Sequence, residues 1–279
     1  MNHINIGTTL QDISQHIDNQ LHNIEYNVLS MSSAQNNISH IYFEDGVKAL
    51  LTNEVDIFVL PLEDVSIHIK DYGVIIGALS QRKHLGSYLF IKDESVDLNE
   101  DLKVAAQSKI AVKSNLEKEQ LEAINPKIQA ILTDIKQIDF KKFAEQSQYD
   151  GLIMSKMMAI DLGIQIKNSL KVDLNPREFI PQPGSGVIAY LVHPESIKLR
   201  EVLRNIHCKD SSDVTNIERK SWQLASKNGM KEFGAYCYKD IRNYYHLSVC
   251  QADGTLQKRK ISLSTSNGLD ELAISSFQN

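Results

Sequence analysis

Short apolar, β-branched runs alternate with stretches of helical spacing through the first two thirds of this chain, the pattern of strand and helix units built on a mostly parallel sheet. Ile4 to Gly7 reads as a strand, Leu10 to Leu21 as an amphipathic helix entered through Thr8 or Thr9, and Ile24 to Met31 as a second strand. Val47 to Leu51 predicts a short helix, Val55 to Leu60 a third strand, and Val74 to Ile76 a further strand between Gly73 and Gly77. The most telling stretch is Asp56 to Val65, with Asp64 near its end. It predicts a buried strand that delivers an acid to its carboxyl end, which in an open parallel sheet faces the ligand crevice.

A second unit of the same kind follows. Leu85 to Ile91, Lys109 to Val112, Ile128 to Leu132 and Tyr149 to Met154 predict strands. Leu116 to Ile124, capped by Ser114 or Asn115, predicts a helix, as do Ile138 to Phe143 and Ser155 to Leu162. Asn175-Pro176 and Pro181-Gln182-Pro183-Gly184-Ser185-Gly186 are the strongest punctuation in the chain and mark its return from one domain to the other. From Glu195 the pattern changes to helices over Ile197 to Ile206 and Thr215 to Leu224, then alternating strands near Phe233 to Tyr238, Tyr244 to Ala252 and Thr255 to Leu263, with Ala252-Asp253-Gly254 as a hairpin turn.

The expected fold class is therefore α/β, with two doubly wound domains resembling periplasmic binding proteins and a small α+β C-terminal domain. Domain 1 takes 1–79 and 176–196 and carries Asp64, domain 2 takes 80–175, and domain 3 takes 197–279.

Composition narrows the function. A chain of 279 residues, 42% hydrophobic and 23% charged, is ordinary for a folded globular protein. Its apolar runs are too short to span a bilayer and its first residues lack the basic and apolar regions of a secretory signal, so the expectation is a cytoplasmic protein without a membrane partner. A net charge of −5 argues against nucleic acid as a partner. Only seven of the 30 basic residues are arginine, few for a protein that clamps many carboxylates, since the planar guanidinium is the preferred bidentate partner. Cys208, Cys237 and Cys250 fit neither a zinc site nor a redox pair and read as free thiols. The histidines show no ligand spacing, so no metal site is expected.

Several segments, in order, resemble the porphobilinogen deaminase (hydroxymethylbilane synthase) family. Ala49-Leu50-Leu51 through Leu62-Glu63-Asp64-Val65 is similar to the family run ending in His-Ser-Leu-Lys-Asp-Val-Pro, with Asp64 on the catalytic aspartate. Ile110 to Lys118 is similar to the segment whose core is Gly-Thr-Ser-Ser-Leu-Arg-Arg, and Tyr149 to Gly163 to the strand and helix carrying another arginine. Pro181 to Ala189 is similar to Pro-Ala-Pro-Gly-Gln-Gly-Ala-Leu-Ala, and Glu218-Arg219 to the Glu-Arg pair that opens the third domain's helix.

The resemblance implies an enzyme that joins four porphobilinogen units onto a covalently held dipyrromethane cofactor, in tetrapyrrole biosynthesis. Asp64 would stabilise cationic pyrrole intermediates and arginines would neutralise the substrate acids. Here Thr9, Glu117, Lys118, Thr133 and Asp161 stand on the expected arginine positions, and Gly229 stands on the cofactor cysteine, with Met230 there after a one-residue slip. The segment Met31 to Asp45 is too short for the family's flexible loop over the active site.

The candidate site is accordingly Asp64 as the catalytic residue, with Lys113, Ser114 and Lys118 at a helix start that either holds an anion or is simply capped. Dipyrromethane is expected for the family and not expected on this chain. Cys237, eight residues past Gly229, is the nearest sulfur and reads as a core thiol. The function expected is a divergent deaminase with degraded or lost activity. Against it stand a non-catalytic module that binds a less acidic small ligand in an interdomain cleft, and an interaction protein that holds a partner.

Overall fold

The computed structural model describes residues 4–8, 10, 26–30, 43–134, 143 and 148–277. In chain order its first elements are β1 (Ile4–Thr8), β2 (Tyr26–Ser30), α1 (Phe43–Leu51), β3 (Ile57–Pro61), β4 (Ile75–Leu79), β5 (Ser87–Lys92), β6 (Lys109–Val112) and α2 (Asn115–Ile124). Next come β7 (Gln129–Leu132), β8 (Gly151–Ser155), α3 (Lys156–Asp161), β9 (Ser169–Asp173), β10 (Ile188–Val192) and α4 (Ile197–Arg204). The last are α5 (Lys209–Lys227), β11 (Phe233–Lys239), β12 (Tyr245–Gln251), β13 (Gln257–Leu263) and α6 (Leu269–Ser275). The helices expected over Leu10 to Leu21 and Ile138 to Phe143 lie outside the described residues apart from Leu10 and Phe143, as does most of the segment Met31 to Asp45.

By internal packing the chain separates into two units, Met1–His84 with Gly186–Asp213, and Leu85–Ser185 with Val214–Asn279. The first is built on a five-stranded sheet in the order β2-β1-β3-β10-β4, with β1 parallel to β2 and β3 and with β10 antiparallel to its neighbours. Alternation along the strands dresses both faces, because successive side chains point to opposite sides. Phe58 and Leu60 face Val47 and Leu50 of α1, and the fit is so close that a Cβ on Gly46 would come 2.1 Å from the Phe58 ring. Gly77 and Val192 face α4 on the other side, where a Cβ on Gly77 would lie 2.7 Å from Leu203 Cδ1.

The second unit repeats this plan and adds to it. Its sheet runs β7-β6-β8-β5-β9, with β6 parallel to β7 and β8 and with β5 antiparallel to β8 and β9. Leu89, Ile110 and Ile153 pack with Leu121 of α2 on one face, while Phe90, Leu152 and Met154 pack with Ala159 of α3 on the other. An antiparallel sheet β11-β12-β13 closes over Ile217 and Ala225 of α5 and Ala273 of α6. The α/β class, with two doubly wound sheets and a small antiparallel C-terminal sheet, is the one the sequence led us to expect.

The packing units divide the chain differently from the expected boundaries. The helix Ile197–Arg204, assigned from composition to domain 3, packs on β4 and β10 of the first unit, because Gly77 leaves room for Leu203. Residues 176–185, assigned to domain 1, are held in the second unit. Gln120, fully buried, donates from Nε2 to the Ile180 carbonyl at 2.9 Å and accepts the Ile180 N–H at 2.7 Å, and the Ala235 N–H donates to the Pro181 carbonyl at 3.0 Å. Leu116, Ile180, Cys250 and Ala252 form the apolar cluster that joins the C-terminal sheet to α2.

Candidate functional site

In the first unit the candidate acid lies where the strand pattern puts it. β3 ends at Pro61 and passes into one turn of 3-10 helix, Leu62–Asp64. The turn is fixed at both ends: the Leu62 N–H donates to the Val187 carbonyl at 2.8 Å, and Val65, 1% exposed, anchors the exit. Asp64 itself is exposed, at the carboxyl end of the strand between β1 and β10. Thr8, the last residue of β1, is 2% exposed and its hydroxyl accepts the Leu10 N–H at 3.0 Å. Thr9 lies outside the described residues.

In the second unit β6, β7 and β8 run parallel, so Lys113, Thr133 and Ser155 are brought to one edge of the sheet. The start of α2 sits there. Ser114 is its N-cap, with Oγ accepting the Glu117 N–H at 3.2 Å. Glu117 reaches back, and its Oε2 accepts the Lys113 N–H at 2.8 Å. This is a capping box shifted by one residue, in which side chains satisfy amides that a helix start leaves open. Glu232, which follows α5, brings a second carboxylate: its Oε2 accepts the Leu116 N–H at 3.4 Å. Glu117 is 5% exposed. The residue on an expected arginine position is thus a buried acid turned into its own helix, where the macrodipole favours it.

The two lysines flank this start without entering it. Lys113 is exposed and its Nζ donates to Gln182 Oε1 at 3.3 Å, while Lys118 is half-buried and its N–H donates to the Ser114 carbonyl. Ser114 is therefore engaged as the cap, and Lys113 points at the proline and glycine segment. Thr133 accepts the Tyr149 hydroxyl at 3.2 Å, and Asp161 is the last residue of α3, half-buried. Neither supplies a cation. Among the described residues no group of three His, Cys, Asp or Glu side chains could hold a metal ion.

Gly229 has a local reason to be glycine. It stands at the C′ position after α5 with φ +80°, its N–H donating to the Ser226 carbonyl at 3.0 Å and the Met230 N–H donating to the Ala225 carbonyl at 3.0 Å. That pair of bonds is the Schellman closure, which calls for a left-handed residue. Met230 turns inward at 8% exposure. Among the described residues nothing lies within 4 Å of where a Cβ on Gly229 would be, and the glycine carries no sulfur.

The three thiols do not replace it. Cys237 is 1% exposed on the core face of β11, and Cys250 is fully buried, with burial pushing its thiol up to about 12. Cys208 is half-buried and lies in the first unit, with Sγ accepting the Ser211 hydroxyl at 3.4 Å. A thioether anchor for dipyrromethane needs an accessible thiolate at the cofactor position, which Cys237 and Cys250 are too buried to supply and which Cys208, in the first unit, does not occupy.

Two structural acids escaped the sequence reading. Glu218 is fully buried, Oε2 accepting the Gly184 N–H at 2.8 Å and Oε1 the Cys237 N–H at 2.7 Å, so it ties the proline and glycine segment to β11. Glu232 carried no pattern at all. A buried acid pairing with distant amides leaves no periodic mark, and only the Glu-Arg pair at 218 and 219 hinted at the first.

A family model described as porphobilinogen deaminase, dipyromethane cofactor binding domain, matches residues 15–201. A probable porphobilinogen deaminase of Saccharolobus islandicus is 25% identical over 232 residues, covering 82% of this chain and 73% of that protein. The porphobilinogen deaminase of Listeria monocytogenes is 25% identical over 181 residues, covering 64% of this chain and 57% of its own length. Among solved structures, an ancestral cationic amino acid solute binding protein aligns with a TM-score of 0.46 at 10% identity, over 82% of this chain and 91% of that one. The family match spans more than half of the sequence and takes in β3 with its acid, the capped start of α2 and the proline and glycine segment, and by that span the chain belongs to the porphobilinogen deaminase family.

Proposed function

We propose that this chain is a porphobilinogen deaminase family protein that has given up the cofactor-anchored assembly of hydroxymethylbilane. The observation that carries the reading is Glu117, which is 5% exposed and closed onto the start of α2 with Glu232 beside it. A polycarboxylate brought to that helix start would meet two protein carboxylates already using its amides. Burying further unpaired charge there costs several kcal/mol. Gly229 adds to this, since a helix-closing glycine supplies no sulfur to hold a growing pyrrole chain. Asp64 keeps its place on the rim of the first sheet and is the residue we assign to contact with a cationic or hydrogen-bonding ligand group.

The test is porphobilinogen consumption by the purified protein. The expected result is no consumption above the uncatalysed background, and turnover near that of an ordinary deaminase would overturn the proposal.

A second reading, a non-catalytic binder of a small ligand less acidic than porphobilinogen, is favoured by the retention of both mixed sheets, with Asp64 and Lys113 just past strand ends and Lys118 in the first turn of α2. It predicts a rise in melting temperature with one class of neutral or cationic metabolite, because a ligand that binds only the native state stabilises it by mass action.

A further inference from the structure

The outer face of the C-terminal sheet, opposite α5 and α6, carries a second and unrelated constellation. Register aligns Tyr238, His246 and Ser262 as one row across β11, β12 and β13, and Tyr236, Ser248 and Lys260 as the next. His246 Nδ1 lies 2.7 Å from Ser262 Oγ, and its Nε2 lies 3.1 Å from Asp240 Oδ2. Asp240 is fixed in turn: its Oδ1 accepts the Arg242 N–H at 2.8 Å and the Tyr244 N–H at 2.9 Å. The imidazole stacks on Tyr238 with centroids 4.8 Å apart and planes 20° apart, and Tyr238 stacks on Tyr236 and lies under the Arg177 guanidinium at 4.4 Å. The ring is held on three sides, and its side chain is still 27% exposed.

We propose that Ser262, His246 and Asp240 form an acyl-transfer centre that acts on small esters with an aromatic group. The carboxylate selects the tautomer with the proton on Nε2, which leaves the Nδ1 lone pair aimed at the serine hydroxyl. Hydrogen bonding from His246, and from the Tyr244 and Arg242 amides, holds the Asp240 carboxyl below its usual range, so it stays ionised and keeps that tautomer. Such a relay is recognised by geometry and roles, and here the two ring nitrogens exchange the roles they have in the serine proteases.

In the reaction Ser262 Oγ attacks the ester carbonyl carbon as its proton passes to His246 Nδ1. The bond to the leaving oxygen breaks and that oxygen takes the proton. Water then gives a proton to Nδ1 as it attacks the acyl carbon, the bond from that carbon to Ser262 Oγ breaks and releases the acid, and Oγ takes the proton back from Nδ1. Lys260, two residues back on the same face of β13, is the cation we assign to the developing oxyanion. Tyr236, Tyr238 and Arg177 give the neighbouring wall to which an aromatic, electron-rich group stacks.

Ser262 and His246 are the catalytic residues of this proposal and Asp240 is a positioning residue. The experiment is fluorophosphonate labelling of the full chain with the modified serine located by peptide mass mapping, alongside release of nitrophenol from nitrophenyl acetate. Ser262 is expected to label, S262A to lose both signals, and H246Q to slow labelling by about 100-fold, the general-base contribution. D240N keeps the Oδ1 acceptor for the turn, so it is expected to fold, to slow the reaction and to move its pH profile, which a merely structural carboxylate would not do. Failure of Ser262 to label, or equal labelling in the H246Q chain, would overturn the proposal. Neither outcome bears on porphobilinogen consumption.

Discussion

Tyr190 sits in the middle of β10, 1% exposed, with no hydrogen-bond partner for its hydroxyl among the described residues. Burial pushes its phenol up to about 12. A buried polar atom without a partner costs about 1 to 3 kcal/mol, so Tyr190→Phe is expected to raise the melting temperature. A fall would mean that the hydroxyl serves an interaction. The buried Cys250 thiol makes a pH prediction. Its native value of about 12 lies above the reference of 9.0, so the folded state holds this proton more tightly than the unfolded one. That contribution is present below about pH 9 and is lost as pH rises toward 12, and the stability difference between wild type and Cys250→Ala should shrink over that interval. The expected labelling of native protein by iodoacetamide at pH 8 is at Cys208 alone. Single residues were the least legible level of this sequence. The position of Asp64 was legible because an apolar run led to it, whereas Glu117 read as a reversed charge, and only the structure connects its carboxylate to the Lys113 amide.

Elements were legible where a period repeated. β3, β6 and α2 fall within a residue or two of expectation because an apolar run or a Ser cap marks them. β9 was missed, since Ser169–Asp173 is an edge strand with none of its residues buried and no apolar run to mark it. α6 was missed as well: Leu269–Ser275 begins after Gly268, in a left-handed conformation with no side-chain cap, so the usual start signal is absent. The placement of α4 with the wrong domain has one cause, Gly77, whose missing Cβ admits Leu203. Gly77→Ala is therefore expected to destabilise the first unit by about 1 to 3 kcal/mol, the usual cost of overpacking, as read by urea denaturation. An unchanged midpoint would show that Leu203 can move aside freely.

At the level of the whole molecule, the class of fold was legible and the grouping of its parts was not. Buried polar bridges join the second lobe to the C-terminal sheet, through Gln120 on Ile180 and Glu218 on Gly184 and Cys237, and such bridges have no sequence period. The central claim is that a deaminase scaffold persists here without the sulfur anchor and the open anion sites of its chemistry. Gly229 closes α5 where the cofactor thiol is expected, and Glu117 closes the start of α2. The most direct measurement is the intact mass of the native protein purified from cells supplied with porphobilinogen. The account predicts the mass of the bare chain and no colour with an aldehyde reagent for pyrroles. A mass increased by a covalently attached dipyrrole would contradict it.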